Sequence, residues 1–478
     1  MKKVCVLQAD YSTSNVDYKN FDPPRCLSDL LPGCLTHHVF LNKITTFQQL
    51  KDLKKEKYDV YVNLCEGYLD WSVPSIDVIH SLEILNLPYT GSNAILYDLP
   101  KEVMKYAAYC SNVKTPDYVK ISEEDLSAEA ILSLKFPLFL KPAKSGDSLG
   151  IDEKSLVKNT DEFLNQCKIL LKEYEEILAE EYIAGREFTV LVAANSGTKD
   201  FCTVYNPLEY IFPEGKKFKT YSLKTSELHK ECNVPCRDEK LSEALKMDAE
   251  KIFKEFSGVG YARLDFRLND NNEIFFLEIN FTCSVFYENG YEGSADFILM
   301  HEPGGKQAFL SHIISEGIYR HQQKQKKYFL KRNAVSGYGI YANKDIKIRE
   351  IVFNKEGKSH RIISKKYVDE NWNEGEKINF RKYAWPVSSD IYVIWDEDPM
   401  KWAPQNHSCD ANTYYDGLNV VACKNITKGE ELTLNYTSIL NNEMESFVCN
   451  CGAENCQKII HGPLHKSIIN QDSQQLNS

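Results

Sequence analysis

Three cysteines near the C-terminus, Cys449, Cys451 and Cys456, stand in a C-x-C-x4-C pattern that limits what this chain can fold into more than any other feature. With Cys409 as a fourth, they can supply four thiolates, the number a closed tetrahedral zinc site needs. Spacing alone does not bring Cys409 to the other three, because it lies far upstream. Four unrelated buried cysteines would be the bland alternative, and a C-x-C pair fits it poorly.

The 478 residues are enough for about two to four domains. A net charge of −11 argues against a general nucleic-acid binder, which carries a basic face, so no direct nucleic-acid partner is expected. No run of about 18 apolar residues occurs, so no membrane partner or span is expected either. The apolar start Met1–Leu7 is ended by Asp10, too early for a signal peptide. Fifteen cysteines without a secretory signal point to free thiols plus one metal site in a reducing compartment. The expectation is an intracellular protein, cytoplasmic or nuclear.

Lys3–Leu7 and Tyr58–Leu64 are short apolar runs suited to inner strands of a parallel sheet. Phe47–Lys57 and Val73–Leu85 have helical spacing, so the start reads as an open α/β layer. Leu99–Cys110 reads as a helix carrying Lys101, with Pro100 in its first turn. Phe136–Pro142 is a strand ending on Lys141, followed by the small-residue loop Ala143–Gly150. Such a loop can lay backbone amides over phosphate, with the lysine as a point charge; a surface hairpin would look much the same.

In Tyr261–Leu268 and Ile274–Asn280, joined by a turn at Asn269–Asn272, alternation puts Arg263 and Asp265 on one face and Glu278 with Asn280 on one face. Carboxylate and amide oxygens converging there suit magnesium. Arg263 beside them could hold a transferring phosphoryl group.

These segments, ARLDF…FFLEIN with FPLFLKPAKSGDSLGI, EEYIAGREFTV and LPYTGSN before them, resemble ATP-grasp enzymes of the D-alanine–D-alanine ligase family over residues 1 to about 300. The resemblance implies a three-subdomain α/β ATP-grasp fold that takes ATP, Mg2+ and a small-molecule carboxylate or amine substrate. It implies Lys101, Lys141 and Lys224 on ATP phosphates, and Glu180, Glu181, Ile183 and Glu187 around adenine and ribose. Asp265, Glu278 and Asn280 would bind magnesium, and Arg263 would act at the phosphoryl group. The amino-acid half departs from the family. The first loop, Gln8–Asn15, lacks the glutamate that holds the substrate ammonium; the HG pair is Glu66-Gly67; the paired serines are Asp147-Ser148; the tyrosine after the ATP lysine is Thr225; and Phe281–Val285 replaces the Ser-Pro-Gly run. D-alanine is therefore expected to be a poor substrate.

Gln307–Tyr319 has helical spacing, and the polar His321–Lys327 reads as a linker. Beyond it, Asn406-His407-Ser408-Cys409, Gly429-Glu430-Glu431-Leu432-Thr433-Leu434-Asn435-Tyr436 and the cysteine pattern followed by Ile460-His461-Gly462 resemble, in order, a SET domain with a post-SET zinc segment. The resemblance implies a mostly β lysine methyltransferase acting on a protein or peptide, with S-adenosylmethionine held by Gly337, Tyr338, Gly339, Tyr341, Asn406 and His407. Tyr436 would orient methyl and amine, and Cys409 would complete the zinc site with Cys449, Cys451 and Cys456. Strand alternation places Tyr436 on the same face as Leu434 and Leu432. Tyr383 and Tyr392 are candidate second tyrosines.

The expected organisation is an N-terminal α/β subdomain over 1–97, the two nucleotide-binding subdomains over 98–315, a linker over 316–330, a SET domain over 331–446, a post-SET segment over 447–463 and a disordered tail over 464–478. Two rival readings stand beside the double enzyme: a methyltransferase whose first unit only binds nucleotide or peptide, and a non-catalytic adaptor built on both folds.

Overall fold

The computed structural model describes residues 1–461 apart from 17–19, 21, 68–70, 145–149, 198–199, 216–217, 219–231, 325–326, 334, 357–359, 396–404 and 440–445. The expected tail over 464–478 lies outside the described residues. The chain divides into two compact units, Met1–Lys324 and Gln325–Ser478.

The first unit opens with a three-stranded parallel sheet in which Lys3–Ala9 runs between Leu35–Leu41 and Val60–Asn63. Its central strand is buried on both sides, as a parallel strand covered by helices must be. Cys5 and Leu7 pack with Leu50, Val78 and Leu82 of the helices Thr46–Leu53 and Ile76–Ile84. Val4 and Val6 pack with Ile298, Phe309 and Ile313 of the helices Ser294–Met300 and Gly305–Lys324. The last helix runs through the start of the expected polar linker. Its polar residues have partners on the first layer: the Arg320 guanidinium donates to Tyr89 O at 2.9 Å, and His321 Nε2 lies 3.1 Å from Asn86 O. Gly317 permits that approach, since a Cβ there would stand 2.4 Å from Tyr89 O.

Two antiparallel sheets follow. One has four strands in the order Tyr118–Ile121, Ile177–Glu181, Leu138–Pro142, Leu156–Val157. It is backed by the helix Thr160–Leu170, which Asn159 caps by accepting the Glu162 N–H. Phe163, Cys167 and Leu170 share one helical face and fill the core with Leu138 and Ala179. The other sheet has the order Asn233–Pro235, Leu208–Tyr210, Glu187–Ala194, Tyr261–Leu268, Ile274–Asn280, with Cys202–Val204 also on Glu187–Ala194. Behind it the helix Glu239–Glu255 turns Leu245, Ala249, Ile252 and Phe253 onto Val190, Val192, Leu264 and Phe266. Burying each large apolar side chain of this kind stabilises the unit by about 1.5–3 kcal/mol.

The second unit is mostly sheet. Tyr328–Asn333 and Gly337–Ala342 form a hairpin. A mixed five-stranded sheet has the order Ile351–Phe353, Asn419–Ala422, Thr413–Asp416, Thr433–Leu434, Asn406–His407. Ile340, Ile346, Val420, Leu432 and Leu434 form its core. A three-stranded sheet, His360–Ser364, Ile391–Trp395 and Trp385–Pro386, carries the helices Lys365–Asn371 and Glu374–Tyr383. A short hairpin, Phe447–Val448 with Ile459–Ile460, brackets the three clustered cysteines. Among the described residues no helix is long and apolar enough to cross a membrane.

Candidate functional site

In the first unit a cleft lies between the two antiparallel sheets. Its lining combines the apolar or aromatic side chains of Phe139, Ile151, Tyr182, Ile183, Phe218 and Leu277 with the charged ones of Lys141, Glu180, Glu187, Asp265 and Glu278. A lining of aromatic rings with a few placed charges suits a ligand with a flat ring and a charged tail. The connection between the sheets turns at Gly185, where a Cβ would meet Leu268 O at 2.1 Å, so glycine lets it tuck under the hairpin.

The charges are paired in layers. Glu180 sits between two buried ammonium groups, Lys141 at 2.5 Å and Lys105 at 2.8 Å. Burial pushes Lys105 down to about 8, against the pull of Glu180. Glu180 is itself desolvated, but the two lysines hold it below the ordinary carboxylate range. Lys105 lies one turn beyond Lys101 on the same buried helix face, a spacing that could have revealed it. Glu187 accepts from Arg267 at 3.0 Å, and Arg267 also donates to Ile183 O at 2.8 Å while its guanidinium lies over the Tyr182 ring. Glu181 lines the cleft and accepts the Lys135 N–H at 2.8 Å. Lys224, Thr225 and Asp147-Ser148 lie outside the described residues.

On the hairpin, Arg263 grips Asp265 through two bonds of 3.2 and 3.0 Å, and Lys101 stands 3.7 Å from Glu278. Asn280 donates from Nδ2 to Glu278 at 3.3 Å, an amide orientation that leaves its Oδ1 for another partner. Two carboxylates and an amide oxygen on one face form a hard donor set that fits magnesium.

Three of the segments expected to depart from the ligase pattern, those of Gln8, Glu66 and Val285, meet at one buried guanidinium. Arg25 pairs with Asp22 and Glu66, both at 3.1 Å, and donates to Val285 O at 3.0 Å and Leu64 O at 2.9 Å. Its own N–H is accepted by Gln8 Oε1 at 2.6 Å, and Ser284 donates to Glu66 at 2.5 Å. Burial raises the Glu66 carboxyl to about 7 despite Arg25. Nothing in the sequence singled out Arg25.

In the second unit, Asn406 joins two motifs far apart in sequence. Its Nδ2 donates to Tyr338 O at 2.9 Å and to Glu431 Oε1 at 2.7 Å, and the Tyr341 hydroxyl donates to Glu431 at 3.4 Å. Gly337, at φ +85, starts that strand. Glu431 was not singled out from sequence, although it lies inside the Gly429–Tyr436 motif. Tyr436 is not the last residue of a strand: the strand ends at Leu434, and Tyr436 opens a 3-10 turn, Tyr436–Ser438. Burial raises its phenol, and its hydroxyl donates to Gln405 O at 2.5 Å. Tyr392 stands against Phe380, ring centroids 4.9 Å apart, in the small core of the helical insert. The Tyr383 side chain lies outside the described part.

The four cysteines come together. Cys409 Sγ is 4.0 Å from Cys449 Sγ, and Cys451 Sγ accepts the Cys409 N–H at 3.5 Å. The Cys456 thiol is in hydrogen-bonding reach of both Cys449 and Cys451. Four thiolates around zinc at 2.3 Å stand about 3.8 Å apart, and the Cys409–Cys449 spacing of 4.0 Å suits that ion. Burial works against the Cys451 thiolate, but backbone N–H groups of Cys409 and Ala453 hold it down to about 6. His407 is also within range: its ring nitrogen and the sulfurs of Cys409, Cys449 and Cys451 all lie within 4.8 Å of one another.

Comparison with known proteins divides the chain in the same way. Residues 106–286 match the model of the D-ala D-ala ligase C-terminus, and 337–437 match the SET domain. A D-alanine–D-alanine ligase of Aquifex aeolicus is 34% identical over 203 residues, 42% of this chain and 64% of that protein, so the match spans under two thirds of its length. One from Geobacillus thermodenitrificans is 28% identical over 301 residues, 60% of this chain and 77% of that protein. Among solved structures, the Bacillus anthracis D-alanine–D-alanine ligase complexed with ATP covers 68% of this chain and 100% of its own, with TM-score 0.48 and 18% identity. The Coxiella burnetii ligase covers 68% and 98%, with the same score and identity.

Proposed function

We propose that this chain, which joins a D-alanine–D-alanine ligase-like ATP-grasp unit to a SET domain, is a protein-lysine methyltransferase dependent on S-adenosylmethionine, with a first unit that binds ATP and Mg2+. The observation that supports the methyltransferase reading is Asn406, whose amide ties the Gly337–Ala342 strand to Glu431 and so joins motifs distant in sequence. S-adenosylmethionine would supply an already activated methyl group. The protein has to align a neutral lysine amine behind it and exclude water. Tyr436 commits its O–H to Gln405 O, which turns the lone pairs of its oxygen outward as acceptors for the amine. Asn406 keeps Oδ1 for the cofactor. The ring nitrogens of His407 face Tyr436 and Cys409, so its contribution to the cofactor is through the backbone. Zinc held by Cys409, Cys449, Cys451 and Cys456 would order the C-terminal segment.

In the first unit, Phe139, Tyr182 and Phe218 would flank adenine, Glu187 would take ribose hydroxyls, Lys141 and Lys101 would face phosphates, and Asp265, Glu278 and Asn280 would hold Mg2+. Arg263 would stabilise a transferring phosphoryl group. One observation favours a second reading of this unit, in which ATP binds without ligation. The buried Arg25 bonds residues from three of the five places where the ligase pattern is rewritten, Gln8, Glu66 and Val285.

The test is transfer of labelled methyl from S-adenosylmethionine to cell-extract protein by the full chain; no labelled acceptor at any extract concentration would refute the methyltransferase reading. For the first unit, ADP release is followed over a panel of D- and L-amino acids. Amino-acid-dependent release supports ligation, and its absence in a protein that binds ATP supports the second reading.

A further inference from the structure

We propose that His407 is a positioning residue that links the cysteine cluster to Tyr436, a step that rests on the zinc and methyl-transfer readings above. Its ring nitrogens reach opposite ways. Nδ1 lies 3.0 Å from the backbone N–H nitrogen of Tyr436, and Nε2 lies 3.3 Å from Cys409 Sγ. A backbone N–H is always a donor, so Nδ1 must offer its lone pair and the proton of the neutral ring sits on Nε2. That proton points at the Cys409 sulfur.

The tautomer decides the ligand set. With its proton directed at sulfur, Nε2 has no lone pair for a metal, and Nδ1 is spent on Tyr436. His407 is therefore a donor to the thiolate rather than a ligand, although it lies within the 4.8 Å circle of candidate ligand atoms. Cys456 is then the fourth ligand. Four thiolates on one divalent cation carry a net charge of about −2. An N–H donor from outside the set spreads that charge and steadies the ligand it touches.

The same ring governs where Tyr436 begins its turn. Its centroid is 5.4 Å from that of Tyr436 and 5.7 Å from that of Phe447, the residue that leads into Cys449. A filled cluster holds Cys409, Cys409 holds His407, and His407 holds the backbone of Tyr436, whose hydroxyl rests on Gln405 O. An emptied cluster lets Cys409 turn away and removes one of the two anchors of the ring.

Two half-isosteres in the full chain separate the links. His407→Asn keeps an amide oxygen near the Nδ1 position and nothing at Nε2; His407→Gln puts an N–H near Nε2 and leaves the Tyr436 N–H without its acceptor. Zinc content, the rate of zinc transfer to a chromogenic chelator, and hydrogen exchange of the Tyr436 amide are measured. His407→Asn should lose zinc about tenfold faster, with Tyr436 exchange near wild type while the metal is bound. His407→Gln should keep its zinc yet exchange faster at Tyr436. Stripping zinc should speed Tyr436 exchange in wild type and add little in His407→Asn. The link is refuted if both variants shift both readouts alike, or if stripping leaves Tyr436 exchange unchanged. Loss of zinc in both variants, with retention in Cys456→Ser, would make His407 a ligand. Absence of zinc from reduced wild-type protein would instead remove the zinc reading itself, and the link with it.

Discussion

Asp265 stands directly opposite Glu278 across the antiparallel ladder, although the next pair is Phe266 with Phe276. Leu277 is the extra residue of a bulge, and it lets Glu278 leave the side on which Phe276 is buried. Strict alternation would have put Phe276 and Glu278 on one face. The bulge turns the core aromatic inward and both carboxylates toward the cleft.

Removing single charges from the cleft should show in nucleotide binding. Lys141→Ala and Glu278→Ala should each weaken binding of ATP with Mg2+ at least tenfold, about 1.4 kcal/mol. Each removes one partner of a charge pair in or beside the cleft. Calorimetry on the full chain at millimolar magnesium reads both, and wild-type protein that takes up no ATP would refute the nucleotide site.

Cys451→Ser should abolish binding of about one zinc per chain, because the remaining donors no longer close a tetrahedron. Metal analysis of reduced protein gives the stoichiometry. The variant should also lose protection from proteolysis around 447–460, where the short hairpin depends on the cluster it brackets.

Tyr436→Phe removes one oxygen and leaves the ring packed among His407 and Phe447. Turnover on a validated acceptor should fall by ~10²–10³ with S-adenosylmethionine affinity unchanged. Asn406→Ala should weaken cofactor binding, since it unties the Gly337–Ala342 strand from Glu431. Equal turnover of wild type and Tyr436→Phe would make Tyr436 a packing residue.

Glu66 should make stability fall as pH rises between about 4.5 and 7. Burial raises this acid to about 7 in the folded chain, so the folded state holds a proton there that the unfolded state has released. The native state then binds more protons across that window, with a slope of at most about 1.4 kcal/mol per pH unit. Glu66→Gln cannot ionise and should lack this component. Urea unfolding of both proteins at pH 5 and pH 7 checks it, and an identical pH dependence would refute it.

The sequence by itself determined the elements and the chemical inventory of this protein. Alternation located the Tyr261–Leu268 and Ile274–Asn280 strands, helical spacing located the helices within Phe47–Lys57 and Val73–Leu85 and the helix bearing Lys101, and short motifs named Asn406, Tyr436 and the cysteines. Those signals are local, because they come from the two- and 3.6-residue repeats of strand and helix. Tertiary structure alone decided the partners. Lys105 meets Glu180, Arg25 gathers Gln8, Glu66 and Val285, and His407 stands between Cys409 and Tyr436. It also carried the Gly305–Lys324 helix through residues whose polarity read as a linker, by giving Arg320 and His321 carbonyl partners on Tyr89 and Asn86. A buried charge or ring nitrogen must find whichever donor or acceptor packing brings beside it. That neighbour is set by how sheets and helices stack, which no spacing along the chain records.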